Sequence, residues 1–191
     1  MRKVVIYELV SLDGAAESPD TYFAEWDDVI DANLAVVIAE QDAVILGRRS
    51  YKDWAGYWPS SDVEPFATFI NGVAKYIATS TPLDQNWANS TAVHGDLAEF
   101  VRNLKNQPGG IIGVHASISV AQALLTAGVV DELKLVIAPM IAGRGRKLLD
   151  NLPAIRLGPI RSTTSPTGSQ LIDYRVIVSE RLMDDDHRAE R

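Results

Sequence analysis

Three short polar stretches in this chain have the residue types that hold phosphate. Gly47-Arg48-Arg49-Ser50 follows an apolar run and opens a helix-like segment. Two arginines can grip a phosphate through bidentate guanidinium forks, and a glycine allows close approach of backbone or ligand. Thr79-Ser80-Thr81 offers hydroxyls directly after the apolar segment that ends at Ala78. Ala116-Ser117-Ile118-Ser119 is a small-residue turn, leading from an apolar strand over 111–114 into a helical period of Ile118, Ala121, Leu124 and Leu125. Such a turn leaves bare N–H groups at a helix N-terminus, where the helix dipole also favours an anion. Singly, each stretch has a plainer reading: solvated arginines, a polar turn, a tight packing site. All three follow predicted strands, and open α/β sheets bind ligands beyond the carboxyl ends of their strands. Together they point to one phosphate-bearing ligand. The chain has neither a GxGxxG fingerprint nor a Walker sequence, which argues against the ordinary Rossmann and P-loop readings.

Other residues suit a heterocycle. Asp13 is the best-placed acid near the predicted cleft, where a carboxylate can hydrogen-bond a ring amide or hold a water for proton delivery. Its plainer role is an Asx turn before Gly14. Trp26, Tyr51, Trp54, Tyr57 and Trp58 form an aromatic-rich band that could stack on a flat ring, or simply pack the core. His94 and His115 end predicted strands and, without cysteine partners, are too few for a metal site. Asp131-Glu132 reads as solvated charge at a strand start. No Ser-His-Asp arrangement suggests a nucleophile.

The elements that would position these groups alternate. Strands are predicted over 3–10, 43–46, 75–78, 91–94, 111–114 and 133–138. Helical segments are predicted within 22–40, where Leu34, Val37 and Ile38 share a side, and over 48–54, 63–73, 97–106 and the segment closed by Gly128. Asp96 is a good N-cap for the helix at 97. Runs at 155–164 and 170–179 flank a turn containing Pro166 and Gly168, which makes an antiparallel hairpin. Strand-helix alternation followed by a hairpin predicts an α/β fold. Its sheet is mostly parallel with an antiparallel edge and is covered by helices on both faces. A single domain is expected over 1–180, with a charged tail over 181–191.

The 191 residues suffice for one domain of ordinary size. The net charge of -7 and a pI near 4.9 disfavour non-specific nucleic-acid binding, which needs clustered basic residues. With no cysteine there are no disulfides or thiolate metal sites, and a reducing, cytoplasmic setting fits. The one long uncharged window, 109–130, reads as strand, turn and helix rather than as a membrane span, so no membrane partner is expected. Residues 1–10 lack the pattern of a signal peptide because Glu8 interrupts their apolar run.

Taken in order, these motifs resemble the C-terminal domain family of the bacterial bifunctional deaminase–reductases. The carriers are Ser11-Leu12-Asp13-Gly14, Leu46-Gly47-Arg48-Arg49-Ser50-Tyr51, Gly128-Val129-Val130-Asp131-Glu132-Leu133 and Pro139-Met140-Ile141-Ala142-Gly143-Arg144-Gly145, with Leu148-Leu149 behind them. The resemblance implies a dihydrofolate reductase-like three-layer sandwich and an NADPH-dependent reductase of a pteridine- or pyrimidine-like substrate, in the manner of the riboflavin-pathway reductases. It implies cofactor binding by Gly47, Arg48, Arg49, Ser50, Thr79, Ser80, Ala116, Ser117, Ile118 and Ser119, with Arg48 or Arg49 near the 2′-phosphate. It implies that Asp13, as the catalytic acid, and Gly14 lie beside the nicotinamide and substrate; Trp26 and Tyr51 complete the expected substrate contacts. The family usually carries Gly-Gly or Gly-Ser where this chain has Ala116-Ser117, and riboflavin-pathway members often have an acid where His115 stands. Two other expectations remain open: a non-catalytic nucleotide- or pterin-binding module that keeps the fold, and a domain whose work is self-association, as a homodimer through the hairpin edge or exposed aromatics.

Overall fold

The computed structural model describes residues 1–177; the tail expected over 181–191 lies outside the described residues. In chain order the elements are β1 (Val4–Ser11), α1 (Asp28–Ala39), β2 (Gln41–Gly47), α2 (Arg48–Ala55), α3 (Phe66–Gly72), β3 (Ala74–Ala78), β4 (Ser90–Val93), α4 (Leu97–Lys105), β5 (Ile111–His115), α5 (Ile118–Thr126), β6 (Glu132–Ala138), β7 (Arg156–Thr164) and β8 (Gln170–Ile177). All eight strands join one sheet in the order β4-β3-β2-β5-β1-β6-β8-β7. The ladders from β4 through β6 are parallel. β8 runs antiparallel to both β6 and β7. The expected mostly parallel sheet with an antiparallel end is therefore present. The hairpin's second strand is the inner one, a choice that the local pattern leaves open.

Alternation in the central strands sorts the core into two halves. In β2, Ala43 and Ile45 face a cluster that includes Val101 and Leu104 of α4 and Leu124 and Leu125 of α5. Val44 and Leu46 face the opposite cluster, with Ile30 and Leu34 of α1 and Phe66 and Ile70 of α3. A strand buried on both faces reads as a continuous apolar run, which is why 43–46 is legible in the sequence. Each fully buried Leu or Ile contributes roughly 1.5–3 kcal/mol relative to exposure.

Local chemistry fixes the helix ends. α1 starts at Asp28 because Asp27 accepts from the Val29 and Ile30 amides, both at 3.0 Å. The other Asp27 oxygen accepts from the Thr167 amide and hydroxyl, tying the β7–β8 turn to α1. Asp96 caps α4 through the Glu99 amide at 2.9 Å, as expected. The helix expected over 63–73 begins only at Phe66, after Pro65. Asp131 and Glu132 are not simply solvated. Asp131 accepts from the Val4 amide and pairs with Lys105 at 2.6 Å, and Glu132 pairs with Lys3 at 2.7 Å. These contacts anchor the start of β6 beside β1.

One non-local seam shapes the ligand side. The loop after β1 is laced to the segment after β6 by Leu12 N–H to Met140 O (2.8 Å), Ala16 N–H to Arg146 O (2.9 Å) and Leu148 N–H to Gly14 O (3.0 Å). No helix among the described residues is long and apolar enough to cross a membrane.

Candidate active site

β2 and β5 are neighbours in the sheet, so the turns that follow them meet. Ser117 is the joint. Its Oγ accepts from the Gly47 amide at 2.9 Å and donates to Ser50 Oγ at 3.0 Å, and Ser50 Oγ donates to the Ala116 carbonyl at 2.8 Å. Because the Ser117 hydroxyl is used this way, no side chain caps α5. The first-turn amides of α5 remain available for an anion, the arrangement expected at a helix N-terminus. Ala116 takes φ 49°, a left-handed conformation that glycine adopts freely and an alanine only at a cost.

The Ser117 amide, expected to face a pyrophosphate, already has a partner. It donates to Glu8 Oε1 at 3.2 Å. Glu8 sits on the α5 face of β1, between Ile6 and Val10, where the strand pattern otherwise places apolar side chains. It is 4% exposed. Burial pushes its carboxyl up to about 8, against the lowering effect of the Ser117 amide. Its neighbour across the turn, His115, is also buried. Burial pushes its imidazole down to about 4, so the ring is neutral and its Nε2 meets Gln41 Oε1 at 2.8 Å.

A cleft of about 860 Å³ opens over these turns. One end is lined by Arg49, Ser50, Ala116, Ser117, Ile118 and Ser119. Arg146 joins them from the segment after β6, donating to Ser119 Oγ at 2.7 Å. The other end is lined by Trp26, Leu34, Trp54, Trp58 and Phe66, with Asp31 accepting from the Trp26 indole N–H at 2.6 Å. Glu8 is also on the lining. Glu17 stands at the mouth, 3.6 Å from Arg49 and accepting from the Arg146 amide at 3.3 Å.

The sequence-predicted residues divide. Arg49, Ser50, Ala116, Ser117, Ile118, Ser119 and Trp26 line the cleft, and Gly47 lies directly behind it as the N-cap of α2. Arg48 is turned the other way. Its guanidinium donates to the Pro82 carbonyl at 2.7 Å and to Thr79 Oγ1 at 3.3 Å, and pairs with Asp84 at 3.1 Å. It pins the 79–84 loop, and Thr79 is spent within that loop on the Thr81 amide and carbonyl. Ser80 is exposed beside it, outside the cleft lining. Arg48, Thr79 and the Ser117 turn do share one rim of the sheet.

Asp13 and Gly14 also stand outside the lining. Asp13 accepts from the Ser11 hydroxyl (2.7 Å) and from the Ala142 (2.8 Å) and Gly143 (3.1 Å) amides. These bonds, led by that of Ser11, hold its carboxyl below the usual range. Its carboxylate braces the seam between the loop after β1 and the segment after β6, and so is committed to main chain. Gly14, at φ 85°, supplies the turn. Tyr51 is fully buried in the α1–α3 core, its hydroxyl donating to the Gln85 carbonyl at 2.5 Å, so it is a packing residue and walls no ligand. Sequence reasoning missed Glu8, Asp31 and Arg146 as cleft residues. Glu8 had a legible signal, a lone charge inside an apolar strand; Arg146 had none, because its place depends on the seam.

The model of the RibD C-terminal domain family matches residues 2–171. The chain belongs to this family. It is the reductase domain family of riboflavin biosynthesis, which gives the chain a reductase-type role in kind. A Bacillus subtilis protein, YyaP, described as uncharacterised, is 25% identical over 182 residues, covering 91% of this chain and 94% of that protein. A putative riboflavin biosynthesis protein of Shewanella sp. PV-4 superposes with a TM-score of 0.73 at 15% identity, covering 92% of this chain and 99% of that one. A pyrimidine reductase-like protein of Corynebacterium diphtheriae gives 0.67 at 15% identity, covering 93% of each. For a Thermotoga maritima diaminohydroxyphosphoribosylaminopyrimidine deaminase/5-amino-6-(5-phosphoribosylamino)uracil reductase the values are 0.66 and 12%, over 92% of this chain and 57% of that longer one. At such identities the structural likenesses establish the dihydrofolate reductase-like fold that the family shares.

Proposed function

We propose that this protein is an NADPH-dependent reductase that delivers a hydride to a pteridine- or pyrimidine-like substrate. The observation that carries this reading is one continuous cleft with two unlike ends. Arg49, Arg146, Ser50 and the uncapped start of α5 suit the charged groups of a dinucleotide. Trp26, Trp54, Trp58 and Phe66 suit a flat ring. The donor set fits the cofactor, with exposed guanidinium and hydroxyl groups beside unpaired first-turn amides. When bound, NADPH supplies the hydride. The protein aligns the two rings and excludes water.

Within this reading Arg49, not Arg48, meets the 2′-phosphate, because Arg48 is held by the Pro82 carbonyl and Asp84. Arg49→Ala should weaken NADPH about tenfold, the loss of one charge-assisted phosphate contact, and leave NADH nearly unchanged. Arg48→Ala should lower stability without separating the two cofactors. Fluorescence titration with NADPH and NADH measures both. Absence of binding to either at millimolar concentration removes the cofactor from the proposal. Oxidation of NADPH in the presence of a panel of pterins, folates and ribosylaminopyrimidines then tests the substrate class.

A further inference from the structure

We propose that Glu8 is the proton donor of this reductase, its buried carboxylic acid passing a proton to the substrate heteroatom beside the carbon that receives hydride. The inference rests on the reductase reading above and adds to it the residue that completes the redox step. The substrate carbon of a C=N or C=O bond gains the hydride of the reduced nicotinamide. The π pair moves to the nitrogen or oxygen, that atom takes the Glu8 proton, and the Glu8 carboxylate is reprotonated from water.

Four observations converge on Glu8. Glu8 lines the same cleft as the phosphate-suited and the aromatic residues, with its Oε1 held at the Ser117 turn. One oxygen receives the Ser117 amide, which fixes the side chain, and no other hydrogen bond reaches the carboxyl among the described residues. Among the described residues no cation is paired with it: Arg49 is drawn to Glu17, and Arg146 to Ser119. Finally, Glu8 replaces an apolar residue in the strand pattern, and a buried carboxyl is costly unless neutral or used.

The surrounding charges favour the neutral acid. From α2 the groups facing the same cleft are Arg49 and Asp53, and from the loop after β1, Glu17 and Asp20. α1 presents Asp31, the loop before α3 Glu64, β5 the neutral His115, and the segment after β6 Arg146. Tyr22 lies close by, its hydroxyl given to the Ala15 carbonyl. Five carboxylates against two already engaged guanidinium groups do not call for a sixth negative charge. Burial is the dominant influence on the Glu8 proton. The other acid once expected in this role, Asp13, has its oxygens occupied by amides and is held ionised.

The test uses Glu8→Gln, which keeps the shape of the neutral acid and its contact with the Ser117 amide. Carboxyl carbon-13 NMR of glutamate-labelled protein should contain one resonance titrating near pH 8 that is absent from the variant. A Glu8 carboxyl already ionised at pH 6 overturns the proposal without any assay of turnover. With a panel substrate that the wild type reduces, the variant should bind NADPH with unchanged Kd and lose about 100-fold or more in kcat, the usual scale of general acid catalysis. A variant with wild-type kcat overturns the role of Glu8 and leaves the reductase reading intact. A wild type that binds NADPH but reduces no panel ring removes the reductase reading, and the donor role with it. Should the variant fail to fold, the wild-type profile decides. A kcat that falls through one deprotonation near pH 8 supports the donor, and a kcat level to pH 9.5 overturns it.

Discussion

Ala116→Gly should make the protein more stable, although it removes atoms. Ala116 is held at φ 49°, where Cβ crowds the following carbonyl oxygen at a cost of about 1–2 kcal/mol. Glycine removes that strain and adds unfolded-state freedom worth about 0.4–1 kcal/mol in the opposite direction. The bond from Ser50 Oγ reaches the Ala116 carbonyl, which is main chain and survives the change. The net gain is therefore about 0.5–1 kcal/mol, or roughly 1–4 °C in Tm for a domain of this length. Urea unfolding should give a higher midpoint with an unchanged slope. The methyl group also projects from an exposed turn at the phosphate-suited end of the cleft, so the glycine variant should bind NADPH more tightly. Ala116→Val is the control, and its β-branched side chain should lower the midpoint. A glycine variant that unfolds more easily than wild type would refute the strain argument.

Asp13→Asn should lower Tm at neutral pH, because an amide cannot accept as a carboxylate does from Ser11, Ala142 and Gly143. The folded carboxyl lies below its unfolded value, so its stabilisation is present above the unfolded pKa and is lost as pH falls through the folded one. The gap between variant and wild type should close in acid, and a gap independent of pH would show that charge is not the cause. His115 titrates with the same sign for a base: a folded pKa lowered to about 4 means that the unfolded chain binds the proton first. Acidification from pH 6.5 to 4 should cost roughly 3 kcal/mol through this ring. Chemical unfolding of wild type and His115→Phe across that range measures it, and equal slopes would assign the acid sensitivity to other groups.

How far the site was legible depended on the distance over which each residue acts. The turn 116–119 and the start of α2 were readable because strand, small residues and helix follow one another within a dozen positions. Neighbouring parallel strands then bring both turns to one rim. Arg48 and Arg49 could not be told apart by type. Their separation comes from α2, which turns one toward Pro82 and Asp84 and the other toward Glu17. Tyr51 looked like a ring-stacking residue because it shares a segment with Trp54 and Trp58, yet it points into the core beside Trp87. Asp13 looked catalytic because loops at strand ends often are. Its three bonds to Ser11 and to the chain 129 and 130 positions away make it a brace.

By itself the sequence determined the periodicity: apolar runs for strands buried on both faces, the 3.6 repeat for helices, and Asp or Gly at their ends. Those signals are local, since backbone sterics and capping act over a few residues, and they sufficed for a helix-covered, mostly parallel sheet. Tertiary structure alone decided that β8 lies inside β7, that Arg146 joins the phosphate-suited end, and that Glu8 faces a cleft rather than solvent. Each of those depends on segments far apart in the chain being brought together by packing, as in the 2.9 Å bond from Ala16 to Arg146 and the 3.2 Å bond from Ser117 to Glu8, which span 130 and 109 positions. The free energy of burying a charge beside them is set by that assembled surrounding and by no property of the residue in isolation.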